Sequence, residues 1–132
     1  MTTYVSADWV AARISDPSFL IIDTRYSMRH LMGHLQHAVN VPPPKLRDLQ
    51  GQLLSPDGFS DLFGAAGLGD LITPILYDGY DGRNSALVAW ILEYLGRDDT
   101  HPLCGYRLGL NTLKSMQQAQ SSFHRNRHTR WV

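Results

Sequence analysis

The stretch PILYDGYDGRNSALVAWILEYLG, residues 74–96, leads a short apolar run into a glycine-rich loop and then into a helix-forming run. A chain uses that order to build a pocket for a nucleophile or an anion. Successive backbone N–H groups in a glycine-rich turn, aimed at one point beside a helix N-terminus, attract negative charge. The loop residues Asp78, Gly79, Tyr80, Asp81, Gly82, Arg83 and Asn84 include no nucleophile. The Asp78 carboxylate is instead expected to accept loop N–H bonds and to plug the cradle itself, because a helix N-terminus favours a negative charge. Arg83 and Asn84 begin the following helix and offer donors to a bound anion. Tyr80, at the loop tip, reads as an exposed contact residue or as a lid.

Three other groups have chemistry to offer. Asp23 and Arg25 leave the end of the run FLIID, which suits either the rim of a cleft or a strand-end ion pair. Cys104 is the single cysteine, in PLCGYRLGLNTL, which is again strand, glycine-containing loop and helix. It is expected to be a small buried hydrophobe, the alternative being a displaced catalytic loop. His30, His34 and His37 are spaced H-x3-H-x2-H, and the first interval sets two imidazoles on one helical face, as in zinc sites. Gly33 interrupts that segment and no suitably spaced carboxylate stands beside it, so no metal is assigned. There is no Ser, His and Asp arrangement, P-loop or dinucleotide fingerprint, and no cofactor is implied.

These residues need strands and helices to hold them. Ser6 caps a short helix over SADWVAARI that stops near Asp16 and Pro17. FLIID, residues 19–23, is apolar and partly β-branched, as a buried parallel strand should be. YSMRHLMGH has room for a turn or two of helix before Gly33, HAVNVP reads as a second strand closed by Pro42, and the prolines after it read as loop. In LSPDGFSDLFGAAGLG, Ser55 caps, Pro56 takes the first helical position, Phe59, Leu62 and Phe63 share a face, and Gly67 ends the helix. TPILY is the third strand. SALVAWILEYLG is the strongest helix, apolar almost all round and therefore expected to be well buried, with Gly96 closing it. HPLC and LNTLKSMQQ suggest a last strand and helix. Alternating strands and helices argue an α/β domain with a mostly parallel sheet and helices on both faces, with ligands at the carboxyl ends of the strands.

At 132 residues and 43% hydrophobic content, one core is expected. Twelve basic and twelve acidic side chains cancel, so no general field draws nucleic acid or an anionic membrane. One cysteine excludes an internal disulfide and a paired-thiolate zinc site. With no signal-peptide layout and no window long enough to span a bilayer, a cytoplasmic protein is expected. The domain is expected over residues 1–118, followed by a polar basic tail, 119–132, that reads as frayed or as a docking segment anchored by Phe123 and Trp131.

Taken together, these segments resemble the rhodanese-like family of sulfurtransferases. LIIDTRYSMRHLMGHLQHAVNVP is similar to that family's early motif, with Asp23, Arg25, Gly33, His34, Ala38, Asn40 and Pro42 at the matching positions. SADWVAARI, LLSPDGFSDLFGAAGLGDLITPILYDG and LEYLG resemble the amino-terminal half of tandem enzymes acting on thiosulfate or 3-mercaptopyruvate. The resemblance implies a three-layer α/β fold and a loop cysteine that carries sulfur as a persulfide. Asp78, or Gly79 in the alternative registration, stands at that cysteine's position, and neither carries sulfur. The resemblance therefore implies a silent module that binds a small anion or a sulfur-carrier or sulfurtransferase partner. The enzyme alternative is sulfur transfer through Cys104 or through a partner's cysteine. Phosphatase or arsenate-reductase chemistry, which related folds host, ranks last because it also needs the missing thiol.

Overall fold

The computed structural model describes residues 2–79, 82–103 and 114. Four parallel strands, β1 (Phe19–Asp23), β2 (Val39–Asn40), β3 (Thr73–Tyr77) and β4 (His101–Pro102), form one sheet in the order β2-β1-β3-β4. From β1 the chain crosses to β2 on one side and then returns to β3 on the other. The order therefore reverses between β1 and β3, and in parallel sheets a crevice opens at the carboxyl ends of such a strand pair. The register sets Asp23 beside Tyr77, so both strands end at the same level.

β1 and β3 are apolar on both faces because both faces are covered. Ile21, Ile75 and Tyr77 point to one side, where Val5, Val10, Leu35, Ala38 and Leu103 complete a core with Trp9 of α1 (Ala7–Ala11) packed against it. Ile22 and Leu76 point to the other side, against Phe59 and Phe63 of α3 (Pro56–Ala66) and Val88, Ile91 and Leu92 of α4 (Arg83–Tyr94). Each of these large side chains contributes about 1.5–3 kcal/mol by leaving water. Pro74, which has no N–H to give, precedes the point at which β3 begins to pair with β4, at Ile75.

The punctuation residues act as their types require. The Ser6 side chain accepts from Trp9 N, and the Ser55 side chain accepts from Gly58 N. Gly67 closes α3 in the left-handed region at φ 106°, where a Cβ would be strained. Three expectations need correction. The proline run is a 3₁₀ turn, Pro43–Leu46, because Pro43 and Pro44 are preset for a first helical turn and Leu46 is driven into the core. α1 is shorter than SADWVAARI, and Arg13 folds its guanidinium over the Trp9 ring beyond the helix end. α4 is not buried all round. Trp90 and Tyr94 stack on each other at the surface, one turn apart, while Val88, Ala89, Ile91 and Leu92 face the sheet. The segment 119–132 lies outside the described residues.

Candidate functional site

Asp23 is the last residue of β1 and is wholly buried. Its Oδ1 accepts from Arg25 N and Arg25 Nε, both at 2.9 Å. Its Oδ2 accepts from Arg25 Nη2 at 2.7 Å and from the Tyr77 hydroxyl at 3.0 Å, and it lies 2.9 Å from His30 Nδ1. Arg25 Nη2 also donates to Gly33 O at 2.7 Å, and the Tyr77 hydroxyl accepts from Leu35 N at 3.1 Å. Two strand ends, α2 (Ser27–Met32) and the turn after it are thus joined through one carboxylate. Asn40 Nδ2 spans Asp23 O and Arg25 O, tying β2 to the same point.

The electrostatics follow from burial and pairing. Burial acts to raise the Asp23 pKa, but the hydrogen bonds and charge of Arg25, with His30, outweigh it and hold the carboxyl below its ordinary range. Burial acts to lower that of Arg25, and the Asp23 carboxylate outweighs it and raises it. Tyr77 is pushed up by burial and then by the adjacent Asp23 charge, so its phenol stays a neutral donor.

Asp78 follows β3 directly and is buried. Its Oδ1 accepts from Gly79 N at 2.7 Å, and its Oδ2 accepts from Asn84 N at 3.0 Å and Ser85 N at 3.3 Å. Asn84 and Ser85 belong to the first turn of α4, whose own N-cap, Gly82, has no side chain to offer. A carboxylate from the preceding strand end therefore caps the helix, where orphan amides and the helix dipole favour negative charge. Behind it, Thr24 Oγ1 donates to Tyr77 O at 2.9 Å and stands 3.1 Å from Ser85 Oγ, which locks the start of α4 to the strand ends.

A cleft of about 290 Å³ opens here, lined by Arg25, Tyr26, Arg29, Asp78, Gly79, Arg83 and Asn84. Gly79 is needed for close approach, since a Cβ there would lie 2.7 Å from Arg25 Cδ. Of the two residues expected on the rim, Arg25 lines the cleft, while Asp23 lies sealed beneath it as the partner of a buried ion pair. The structure brings Asp78, Gly79, Arg83 and Asn84 together with Arg25. Tyr80, Asp81 and Cys104 lie outside the described residues. His30 and His34 stack with centroids 3.7 Å apart, and their Nδ1 atoms are engaged by Asp23 and by His30 O. His37 sits apart, at a positive φ of 68° beside Ile14 and Phe19.

Sequence reasoning missed Tyr77 and Arg29. Tyr77 reads as one more apolar residue of TPILY, and only pairing of β3 with β1 carries its hydroxyl to Asp23. It also missed the carboxylate beside His30, because Asp23 is seven residues away in sequence and reaches it across the end of the sheet. A tyrosine closing a buried strand is the one available signal, since a buried hydroxyl needs a partner.

A family profile described as Rhodanese-like domain matches residues 6–111. Among solved structures, SseA from Escherichia coli, in a structure described by the rhodanese fold and catalytic mechanism of 3-mercaptopyruvate sulfotransferases, is 26% identical with a TM-score of 0.74. The match covers 85% of this chain and 48% of that one. The 3-mercaptopyruvate sulfurtransferase from Leishmania major is 20% identical with a TM-score of 0.72, over 84% of this chain and 34% of that one. Alr3790 from Anabaena sp. is 16% identical with a TM-score of 0.60, over 95% of both chains. The last two likenesses are of fold. The chain spans about half the length of the Escherichia coli protein. No curated protein sequence matches it. Among the described residues, no helix is long and apolar enough to cross a membrane.

Proposed function

The chain belongs to the rhodanese-like family, and from that premise we propose that it is a non-catalytic rhodanese-homology module of sulfur metabolism. It binds a small anion or a partner protein at the arginine-lined cleft, with a sulfur-carrier or sulfurtransferase domain as the partner class. The observation that carries this reading is the Asp78 carboxylate on the amides of Gly79, Asn84 and Ser85. Those donors are suited to hold a thiolate or persulfide. Here they hold a carboxylate that cannot accept sulfur, in the loop where the family resemblance puts the reactive cysteine. The resemblance to the amino-terminal half of tandem enzymes and the match over 48% of the Escherichia coli chain agree with that reading. A single cysteine fits a reducing, cytoplasmic setting.

The test is intact-mass measurement after incubation with thiosulfate or 3-mercaptopyruvate, with peptide mapping around Cys104. An unchanged mass is expected. A stable gain of one sulfur atom on Cys104, removed by cyanide, would overturn the reading and assign sulfur transfer to a relocated nucleophile. Asp78→Cys is the companion variant. Sulfur loading at position 78 is expected, because the amide cradle remains, and a variant that folds but stays unloaded would mean that the loop has lost the family's shape.

A further inference from the structure

A second cavity, of about 260 Å³, lies at the start of β1, the opposite end of the strand from the arginine-lined cleft. Its apolar walls include Ile14, Pro17, Phe19 and Ile21, the last two sharing one face of β1 because they are two residues apart. Asp16 and His37 line it as well and supply polar groups. The volume falls just below the range of about 300–1,000 Å³ usual for ligand pockets, so the space suits a small molecule.

His37 stands in a strained place. Ala38 N donates to Leu35 O at 3.0 Å and closes a turn with His37 as its third residue, at φ 68°. Such a position favours glycine, because a Cβ crowds the backbone at positive φ. Among the described residues His37 is the only non-glycine with a positive φ. Its side chain has no hydrogen-bond, ion-pair or ring partner among them, so nothing in the packing of the domain accounts for an imidazole here. Strain that is not offset by a contact within the fold points to a ligand.

Asp16 stands at the same cavity with an unpaired charge. Its Oδ1 accepts from Ser18 N at 2.9 Å and its backbone oxygen accepts from Phe19 N at 3.1 Å, which fixes it at the head of β1. No basic side chain pairs with this carboxylate among the described residues. Arg13, three residues earlier, instead lies over the Trp9 ring at 3.9 Å and donates to Trp9 O at 3.0 Å. Among the described residues no group of three His, Cys, Asp or Glu side chains could hold a metal ion. An organic ammonium is the cation that fits. It has donors for the Asp16 carboxylate and for a neutral imidazole nitrogen of His37, and the apolar walls take its carbon skeleton.

We propose that this cavity binds a small primary amine carrying an aromatic or branched apolar group, with the ammonium between Asp16 and His37 and the apolar group on Phe19 and Ile21. The inference goes beyond the proposed function and does not rest on it.

The test is an NMR titration of the isotope-labelled full chain with phenethylamine, and with phenethyl alcohol as its uncharged counterpart. Saturable shifts are expected at the amides between Ile14 and Ile21 and at His37, with the alcohol binding about tenfold or more weakly. Asp16→Asn should weaken amine binding about tenfold. His37→Gly should weaken it similarly and also raise the melting temperature, since glycine enters the turn without strain. A histidine that served the turn alone would leave the affinity unchanged, so the two readouts separate a ligand role from a structural one. Absence of saturable shifts at these amides, equal binding of the alcohol, unchanged amine affinity in either variant, or shifts centred on Arg25 and Gly79 would each overturn the proposal.

Discussion

Replacing Asp23 by asparagine keeps the shape of the side chain and removes the charge on which two strand ends and α2 converge. The carboxylate faces only donors: Arg25 N and Nε on Oδ1, and Arg25 Nη2, the Tyr77 hydroxyl and His30 Nδ1 on Oδ2. An asparagine must turn its amide NH2 toward one of these sets. The milder orientation sets it against Arg25 N and Nε, so that the amide oxygen, Gly33 O and the Tyr77 hydroxyl still accept from Nη2 while the buried guanidinium loses its counter-charge and its Nε acceptor. Removing one member of a buried pair costs about 3–5 kcal/mol, because the remaining charge stays out of water. For a domain of this size that lowers Tm by about 12–20 °C. Urea unfolding followed by circular dichroism should show the midpoint falling with the slope unchanged.

Acid sensitivity gives an independent reading of the same residue. Asp23 has a folded pKa below its ordinary value of 3.8. Its contribution is therefore fully present above 3.8 and is lost as pH falls through the folded value. Asp23→Asn should remove that part of the acid limb. The double change Asp23→Leu/Arg25→Met should recover much of the loss, since an apolar pair leaves no stranded charge. A single variant that loses less than about 1 kcal/mol, below the range expected for breaking such a pair, would refute the view that the pair holds the strand ends together.

Tyr77 should make the fold alkali-sensitive. Its phenol is raised above the ordinary 10.0 by burial and by Asp23, so stability is held below pH 10 and lost as pH rises beyond it, when the unfolded chain ionises first. Tyr77→Phe should flatten that limb in a pH series of urea melts while costing about 1–3 kcal/mol at neutral pH for the stranded Leu35 N–H and Asp23 contact. Gly79→Ala should cost about 1–3 kcal/mol because its Cβ meets an arginine pinned at its far end. Gly64→Ala in α3, with open space around it, should instead stabilise by about 0.5–1 kcal/mol, and thermal melts separate the two signs. Asp78→Ala strands the Gly79 N–H in the loop and two N–H groups at the start of α4 and should cost about 1–3 kcal/mol. Hydrogen exchange should then quicken first at Asn84 and Ser85.

Much of this molecule is legible in the order of its residues because the signals are local. FLIID and TPILY are short apolar runs that only a strand covered on both faces can use, and the structure makes them β1 and β3. Ser55, Pro56 and Gly67 bracket α3 through caps that act within one turn. Asp78 at a loop that opens a helix was enough to anticipate a carboxylate on that helix's amides, since both belong to one stretch of chain.

Tertiary structure decided what depends on strand order. Asp23 and Arg25 leave β1 together in sequence, yet one is sealed under the cleft and the other lines it, because β3 and α2 close over the first. The burial of α4 was overestimated for the same reason: composition shows how apolar a helix is, and only the sheet determines which face it covers, leaving Trp90 and Tyr94 outside. Tyr77 and His30 come to one carboxylate from a neighbouring strand and a following helix. Local sequence carries backbone preference and periodicity, whereas a convergence of side chains from separate elements exists only once the sheet has set its strands side by side.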